Sequence, residues 1–205
     1  MTPIIAKPVT RDIAPQTEPQ RYLWTREAFY RLLNLGIIAP DERLELIEGE
    51  IIRKMPKNPP HTIATMLTTE VLKRIFHNGY NVRIQEPFVV SDISEPEPDI
   101  AVVTGEIKDY LAEHPSVAAL LIEVSDSTLA ADRSTKASLY ARAGVEDYWV
   151  LNVIDRVLEI HRQPAPMENQ PYGFHYRSIT RHTEADTVFA LAAPQSEIRV
   201  ADLLP

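Results

Sequence analysis

Two periodicities alternate along this chain. Between Thr25 and Gly36 the apolar residues Ala28, Phe29, Leu32 and Leu33 return at three- and four-residue spacing, which predicts a helix N-capped by Thr25 and stopped at Gly36. Arg43 to Met55 reads instead as a β-hairpin turning at Glu48-Gly49. From His61 to Asn78 the helical spacing resumes in Ile63, Met66, Leu67, Val71, Ile75 and Phe76, and Gly79 closes the run. Strands are predicted over Asn81–Val90, Asp99–Val103 and Val117–Val124, the last almost continuously apolar, as a strand covered on both faces is. A helix over Ala131–Ala143 ends at Gly144, and Tyr148-Trp149-Val150-Leu151 predicts another buried strand. Arg156–Arg162 predicts its antiparallel partner, Gln163–Pro171 a proline-containing loop, and Tyr172–Thr180 and Thr187–Ala193 the last strands.

The sum is an α/β chain: a mixed central sheet flanked by helices, with antiparallel additions at the C-terminal end. The run ending at Glu123, the helix after it and the strand at Tyr148 form a βαβ-like unit. Met1 to Gln20 carries Pro3, Pro8, Pro15 and Pro19 with little periodicity and reads as a flexible N-terminal arm, which leaves residues 21–205 as one domain.

Composition narrows the chemistry. With 205 residues the chain is long enough for one proper core. It has no cysteine, which removes disulfides, thiolate nucleophiles and cysteine-based zinc sites and fits a cytoplasmic protein. No apolar run approaches the roughly 20 residues that span a bilayer, and Met1–Gln20 lacks the apolar stretch of a secretory leader. The formal net charge of −8 argues against a dominant nucleic-acid-binding face but leaves room for a local basic patch. Arg53, Lys54, Lys57, Arg74 and Arg133 are the candidates for one, although a solvated charged surface explains them equally well.

Two pieces carry the chemistry: Pro98-Asp99-Ile100-Ala101-Val102-Val103 and Leu120-Leu121-Ile122-Glu123-Val124. Each sets a carboxylate at the edge of an apolar, strand-like run, where it is costly unless something pairs with it. Two such carboxylates about 4 Å apart repel by roughly 4 kcal/mol at an effective dielectric near 20. A divalent cation between them removes that penalty. Asp132, Lys136 and Tyr140 stand four apart and share one helix face. The connection from Glu123 to this helix is short, so Lys136 is placed to reach over the strand end toward the acids. A hard cation such as Mg²⁺ takes oxygen ligands, here Asp99, Glu123 and the Val124 carbonyl, and a lysine ammonium beside it stabilises developing negative charge.

The ordered series Glu97-Pro98-Asp99-Ile100, Leu121 to Thr128, Asp132-Arg133, Lys136, Tyr140 to Val145 and Tyr148-Trp149 resembles the Uma-type family of restriction-endonuclease-like proteins, within the PD-(D/E)XK nuclease superfamily. Leu44 to Glu50 and His61 resemble its opening hairpin and first core helix, so the likeness spans about Tyr22 to Leu204. It implies a restriction-endonuclease-like fold and an endonuclease that hydrolyses DNA with Mg²⁺ or Mn²⁺, Asp99 and Glu123 matching the two motif acids. One position departs. The superfamily lysine stands two residues after the second acid, where this chain has Ser125, and the Uma-type pattern moves it to the following helix, at Lys136. Glu50 and His61 are supporting candidates, the first for a further carboxylate and the second for a phosphate contact. Asp132 and Tyr140 are read as partners that orient Lys136. A homodimer is expected by analogy with nucleases that cut two strands. The alternative is a catalytically inactive member of the fold that binds nucleic acid or protein.

Overall fold

The computed structural model describes residues 21–39 and 41–205; the predicted arm, Met1–Gln20, lies outside them. The first helix, α1 (Arg26–Asn34), is capped as the sequence predicts, the Thr25 hydroxyl oxygen accepting from Ala28 N at 3.2 Å. A hairpin follows, β1 (Leu44–Ile47) against β2 (Glu50–Arg53), antiparallel and separate from the main sheet. Glu48 and Gly49 both take positive φ, 49° and 77°, as a two-residue turn of this hand requires. A Cβ at Gly49 would lie 2.6 Å from that of Leu23, so the position also admits nothing larger.

Helix α2 (Pro59–Ile75) precedes the six-stranded sheet. The sheet runs in the order β3 (Tyr80–Ile84), β4 (Ile100–Thr104), β5 (Leu120–Ser125), β6 (Asp147–Asn152), β7 (Val157–Pro166) and β8 (Phe174–Thr183). Only β5 and β6 are parallel, and the crossover that this demands is helical: α3 (Leu129–Ala131), a π-turn over Asp132–Lys136, and α4 (Ala137–Arg142). The two-residue strands β9 (Thr187–Val188) and β10 (Ile198–Arg199) pair beside a closing 3₁₀ turn at Val200–Leu203.

Alternation along the strands builds one core on each face of the sheet. Ile100, Val102, Ile122, Val124, Trp149 and Leu151 pack with Ala64, Val71, Leu72 and Phe76 of α2 and with the C-terminal segment. Ala101, Val103, Leu121, Tyr148 and Val150 pack with Ala137, Tyr140 and Ala141 on the other side. Glu123 shares the parity of Leu121, so it faces the crossover helix rather than α2. A third cluster joins Phe29 and Ile38 to Leu46 of β1.

Several predicted elements differ from what forms. The inward face of α2 is not its most apolar one: Ile63 and Met66 are 44% and 57% exposed, while His61, Thr65, Thr68 and Thr69 are buried. Thr65 and Thr69 donate to the carbonyls of His61 and Thr65, which lets threonine sides enter the core with their hydroxyls satisfied. The strand predicted to Val90 ends at Ile84 because Gln85 turns to positive φ. Conversely β7 runs on through Pro164 and Pro166. Past Arg162 it has lost β6 as a neighbour and pairs with β8 alone, so the missing N–H groups of the prolines cost no ladder bond on that side. Of the strand predicted over Thr187–Ala193, only Thr187–Val188 pairs.

Candidate active site

Asp99 sits just ahead of β4, where the β4–β5 register sets it beside the end of the strand that carries Glu123. The two acids are cross-laced through the backbone. The Val124 N–H donates to Asp99 Oδ2 at 2.9 Å, and the Asp99 N–H donates to Glu123 Oε2 at 3.3 Å. Asp99 also lies 3.1 Å from His61 Nε2 and accepts from Gln85 Nε2 at 3.0 Å. Burial alone would raise its pKa, but His61, Gln85 and the Val124 amide hold the carboxyl below its ordinary value. His61 answers in kind: burial works against its charged form, and the Asp99 carboxylate outweighs it and raises the pKa.

Glu123 is the strained member. It is 6% exposed, and burial first, then the charges of Asp99, Asp132 and Glu45, push it up to about 8 although Lys136 works the other way. Tyr140 donates to its Oε1 at 2.7 Å. Lys136 Nζ lies 3.5 Å from the same oxygen. Burial disfavours the Lys136 ammonium, yet Glu45 and Glu123 together raise its pKa, so it stays charged.

The crossover helix delivers Lys136 through its π-turn, in which the Ala137 N–H reaches back to the Asp132 carbonyl. Asp132 Oδ2 accepts from Ser125 and Thr128, both at 2.6 Å, which ties the end of β5 to the start of that helix. Asp132, Lys136 and Tyr140 are all buried on the sheet side.

The structure thus brings Asp99, Glu123, Val124, Lys136 and Tyr140 together, with His61 and Asp132 in contact range of the group. Three of the supporting residues are hydrogen-bonded here. His61 bonds Asp99 and lines the cavity beside it. Tyr140 bonds Glu123 and sets its ring 6.0 Å from Lys136 Nζ, and Asp132 is bonded to Ser125 and Thr128 while its charge helps to raise the Lys136 pKa. Glu50 is no part of the acid cluster: it shares the face of the hairpin that carries Glu45, but it stands at the turn end of β2, exposed and paired with Arg21 at 2.6 Å. The carboxylate that does face the lysine is Glu45 of β1, whose Oε2 accepts from Lys136 Nζ at 2.7 Å and from the Glu97 N–H at 3.1 Å. Its pKa is lowered despite burial, by Lys136 and then Lys54.

These groups lie on the floor of a cavity of about 240 Å³, walled by Arg43, Arg53, Lys54 and Lys57 of the hairpin and the loop after it. Arg53 pairs with Glu42 at 2.8 Å and Lys54 with Glu97 at 3.1 Å. The Lys57 pKa is lowered, by burial first and then by the charge of Arg43, with Asp99 opposing. Of the other basic candidates, Arg133 is taken up by Glu159, and Arg74 stands exposed on α2 away from this cavity. Among the described residues, no three Asp, Glu or His side chains form a ready-made metal cage. No helix among them is long and apolar enough to cross a membrane.

A family model, Uma2, described as putative restriction endonuclease, matches residues 26–193. No curated protein matches the chain. Among solved structures, a putative nuclease belonging to DUF820 from Anabaena variabilis ATCC 29413 superposes with a TM-score of 0.65 at 17% identity, over 87% of this chain and 96% of that one. The type IIG restriction endonuclease BpuSI aligns over 55% of this chain and 12% of its own, at 20% identity and a TM-score of 0.34. The first likeness shows a shared fold, the mixed sheet with flanking helices described above.

Proposed function

Starting from the Uma2 family of putative restriction endonucleases, to which this chain belongs, we propose that it hydrolyses phosphodiester bonds of DNA, with Asp99, Glu123 and Lys136 as the catalytic residues and Mg²⁺ or Mn²⁺ as cofactor. The observation that carries this reading is the crowding of buried acids around one ammonium. Glu45, Asp99, Glu123 and Asp132 are all buried here, and Lys136 is the buried lysine among them. Burial first, and then these neighbouring acids, drive Glu123 toward its protonated form. A divalent cation answers that imbalance, and Mg²⁺ suits a site with few protein ligands because it keeps several of its waters. Asp99, Glu123 and the Val124 carbonyl are the groups that would hold it. When bound, it lowers the pKa of a coordinated water and offsets charge on the phosphoryl oxygens.

The chain's own groups divide the remaining work. Asp99 is held ionised and fixed by three donors, so it needs no rearrangement to act as a ligand. Tyr140 fixes one oxygen of Glu123 and leaves the carboxylate a defined orientation. Lys136 stays protonated, so it serves as a hydrogen-bond donor and positive charge beside the phosphorus, not as the base that takes the water proton. In the hydrolysis the water oxygen bonds to phosphorus and gives a proton to solvent, and the bond to the leaving nucleotide oxygen breaks as that oxygen takes a proton from solvent. Glu45 is the positioning residue for Lys136, setting its ammonium from the hairpin side.

Titration calorimetry with Mg²⁺ and Mn²⁺, run with a plasmid-nicking assay on the wild type and on Asp99→Ala, Glu123→Ala and Lys136→Ala, tests the proposal. Metal-dependent nicking that each substitution abolishes, with metal binding lost in the first two, is the expected result. Full nicking by all three variants would overturn the mechanism. No metal binding at millimolar concentration would favour a non-catalytic member of the fold.

A further inference from the structure

Two cations on the cavity wall are treated differently from their neighbours. Arg53 and Lys54 are each matched to a carboxylate, Glu42 and Glu97. Arg43 and Lys57 are bonded only to neutral acceptors: Arg43 Nη1 donates to the Met55 carbonyl at 3.2 Å, and Lys57 Nζ donates to Gln85 Oε1. Neither has an ion-pair partner among the described residues. Lys57 is half-buried, so water screens it less than it would a surface lysine. The charge of Arg43 bears on it directly.

Gln85 fixes where this pair stands relative to the chemistry. Its amide oxygen takes the Lys57 hydrogen bond while its amide nitrogen donates to Asp99 Oδ1 at 3.0 Å. One side-chain amide therefore separates the Lys57 ammonium from the Asp99 carboxylate. Two like charges line this wall with no carboxylate among the described residues in hydrogen-bond or ion-pair contact with either, and an anion entering the cavity beside them is favoured. Where no cation is bound the floor repels that anion, since it is lined by Glu45, Asp99, Glu123 and Asp132.

We propose that Arg43 and Lys57 seat a backbone phosphodiester of a nucleic-acid strand, next along from the bond cleaved over Asp99 and Glu123; this rests on the phosphodiesterase reading above. Arg43 supplies the planar fork that matches two phosphate oxygens, and Lys57 a point charge. Together they would set the register of the strand against the acids. The recognition is of backbone charge, so it is independent of base sequence.

The test is fluorescence anisotropy of labelled single-stranded DNA oligonucleotides with 5′-hydroxyl ends, in EDTA so that nothing is cut, over a series of salt concentrations. Wild type is compared with Arg43→Gln, Lys57→Gln, the double variant and the charge-preserving Lys57→Arg, with Lys73→Gln on exposed α2 as control. Each loss of charge should weaken binding by about tenfold. The slope of log affinity against log salt should fall by about 0.7 for each and about 1.4 for the double variant. Lys57→Arg and Lys73→Gln should bind as the wild type does. A double variant with wild-type affinity and slope, absence of wild-type binding at low salt, or binding that requires a 5′-phosphate would each overturn the proposal. Nicking on the same preparations separates the two readings. Unchanged binding by the double variant of an enzyme that cuts removes the phosphate seat alone, whereas binding through Arg43 and Lys57 without any metal-dependent cutting removes the nuclease reading alone.

Discussion

Replacing Glu123 by Gln should abolish cleavage and yet stabilise the metal-free protein. In the fold the Glu123 carboxyl is pushed up to about 8, mainly by burial and then by neighbouring acids, against an unfolded value of 4.5. Between those values the folded state binds a proton that the unfolded state has released, so stability falls as pH rises through the window and is fully retained only below about 4.5. At about 1.4 kcal/mol per unit, ionisation of the unfolded chain costs the wild type about 3 kcal/mol at pH 7 and about 5 kcal/mol once pH has passed 8. The substituted amide does not titrate, and its oxygen can still accept from Tyr140. Urea unfolding followed by circular dichroism in EDTA, at several values from pH 5 to 9, measures the difference at unchanged m-value. The variant should exceed the wild type by about 3 kcal/mol at pH 7, with the gap closing toward pH 4.5. Added Mg²⁺ should stabilise the wild type alone, by mass action. A variant no more stable than the wild type at pH 7, with the same dependence on pH, would refute the account of Glu123 as a carboxyl held out of its ionised state.

Two further outcomes follow from particular residues. Glu45→Gln should leave the fold intact but lower kcat on the order of 100-fold with little change in KM, because Lys136 loses the carboxylate that sets its position; equal effects on both constants would speak against a positioning role. His161 is buried with neither ring nitrogen hydrogen-bonded, and burial, aided by His175 and opposed by Glu159, lowers its pKa to about 4. The unfolded chain therefore takes up a proton below about 6.5 that the folded state refuses, and stability should drop by about 3 kcal/mol as pH falls to 4. His161→Phe should remove that component of the acid loss in urea titrations at pH 4.5 and 7, and an unaltered acid loss would exclude it.

The acid pair was legible because a carboxylate inside an apolar strand is expensive and therefore informative, and the short link from Glu123 to its helix left Lys136 few places to go. The hairpin and its Glu48-Gly49 turn were legible for a local reason, the positive φ that both positions need. Glu45 escaped notice because Glu45, Leu46 and Ile47 are all buried: one side of β1 meets the α1 cluster and the other meets the lysine. Glu45 and Glu50 share one side of the hairpin and differ in position along it, Glu50 standing at the exposed turn end, which alternation does not encode. The buried threonines of α2 were hidden for a related reason. Their hydroxyls are satisfied within the helix, so polarity no longer predicts exposure. The π-turn carries no residue pattern that announces it.

That π-turn separates Lys136 from the sheet that holds Asp99 and Glu123. Each residue of an ordinary α-helix advances about 100° around the axis, and a π-turn accommodates one residue beyond the usual count within the coil. Asp99 and Glu123 take their places from strand register, which the whole core enforces. Lys136 takes its azimuth from a segment of five residues, Asp132–Lys136, whose ends are fastened independently by Ser125 and Thr128 on one side and by the packing of α4 on the other. A length change of one residue there would rotate the lysine by roughly a quarter-turn while leaving every strand pairing in place. Within one fold, a lysine can thus be turned toward or away from a pair of strand-borne acids by the smallest edit a chain permits.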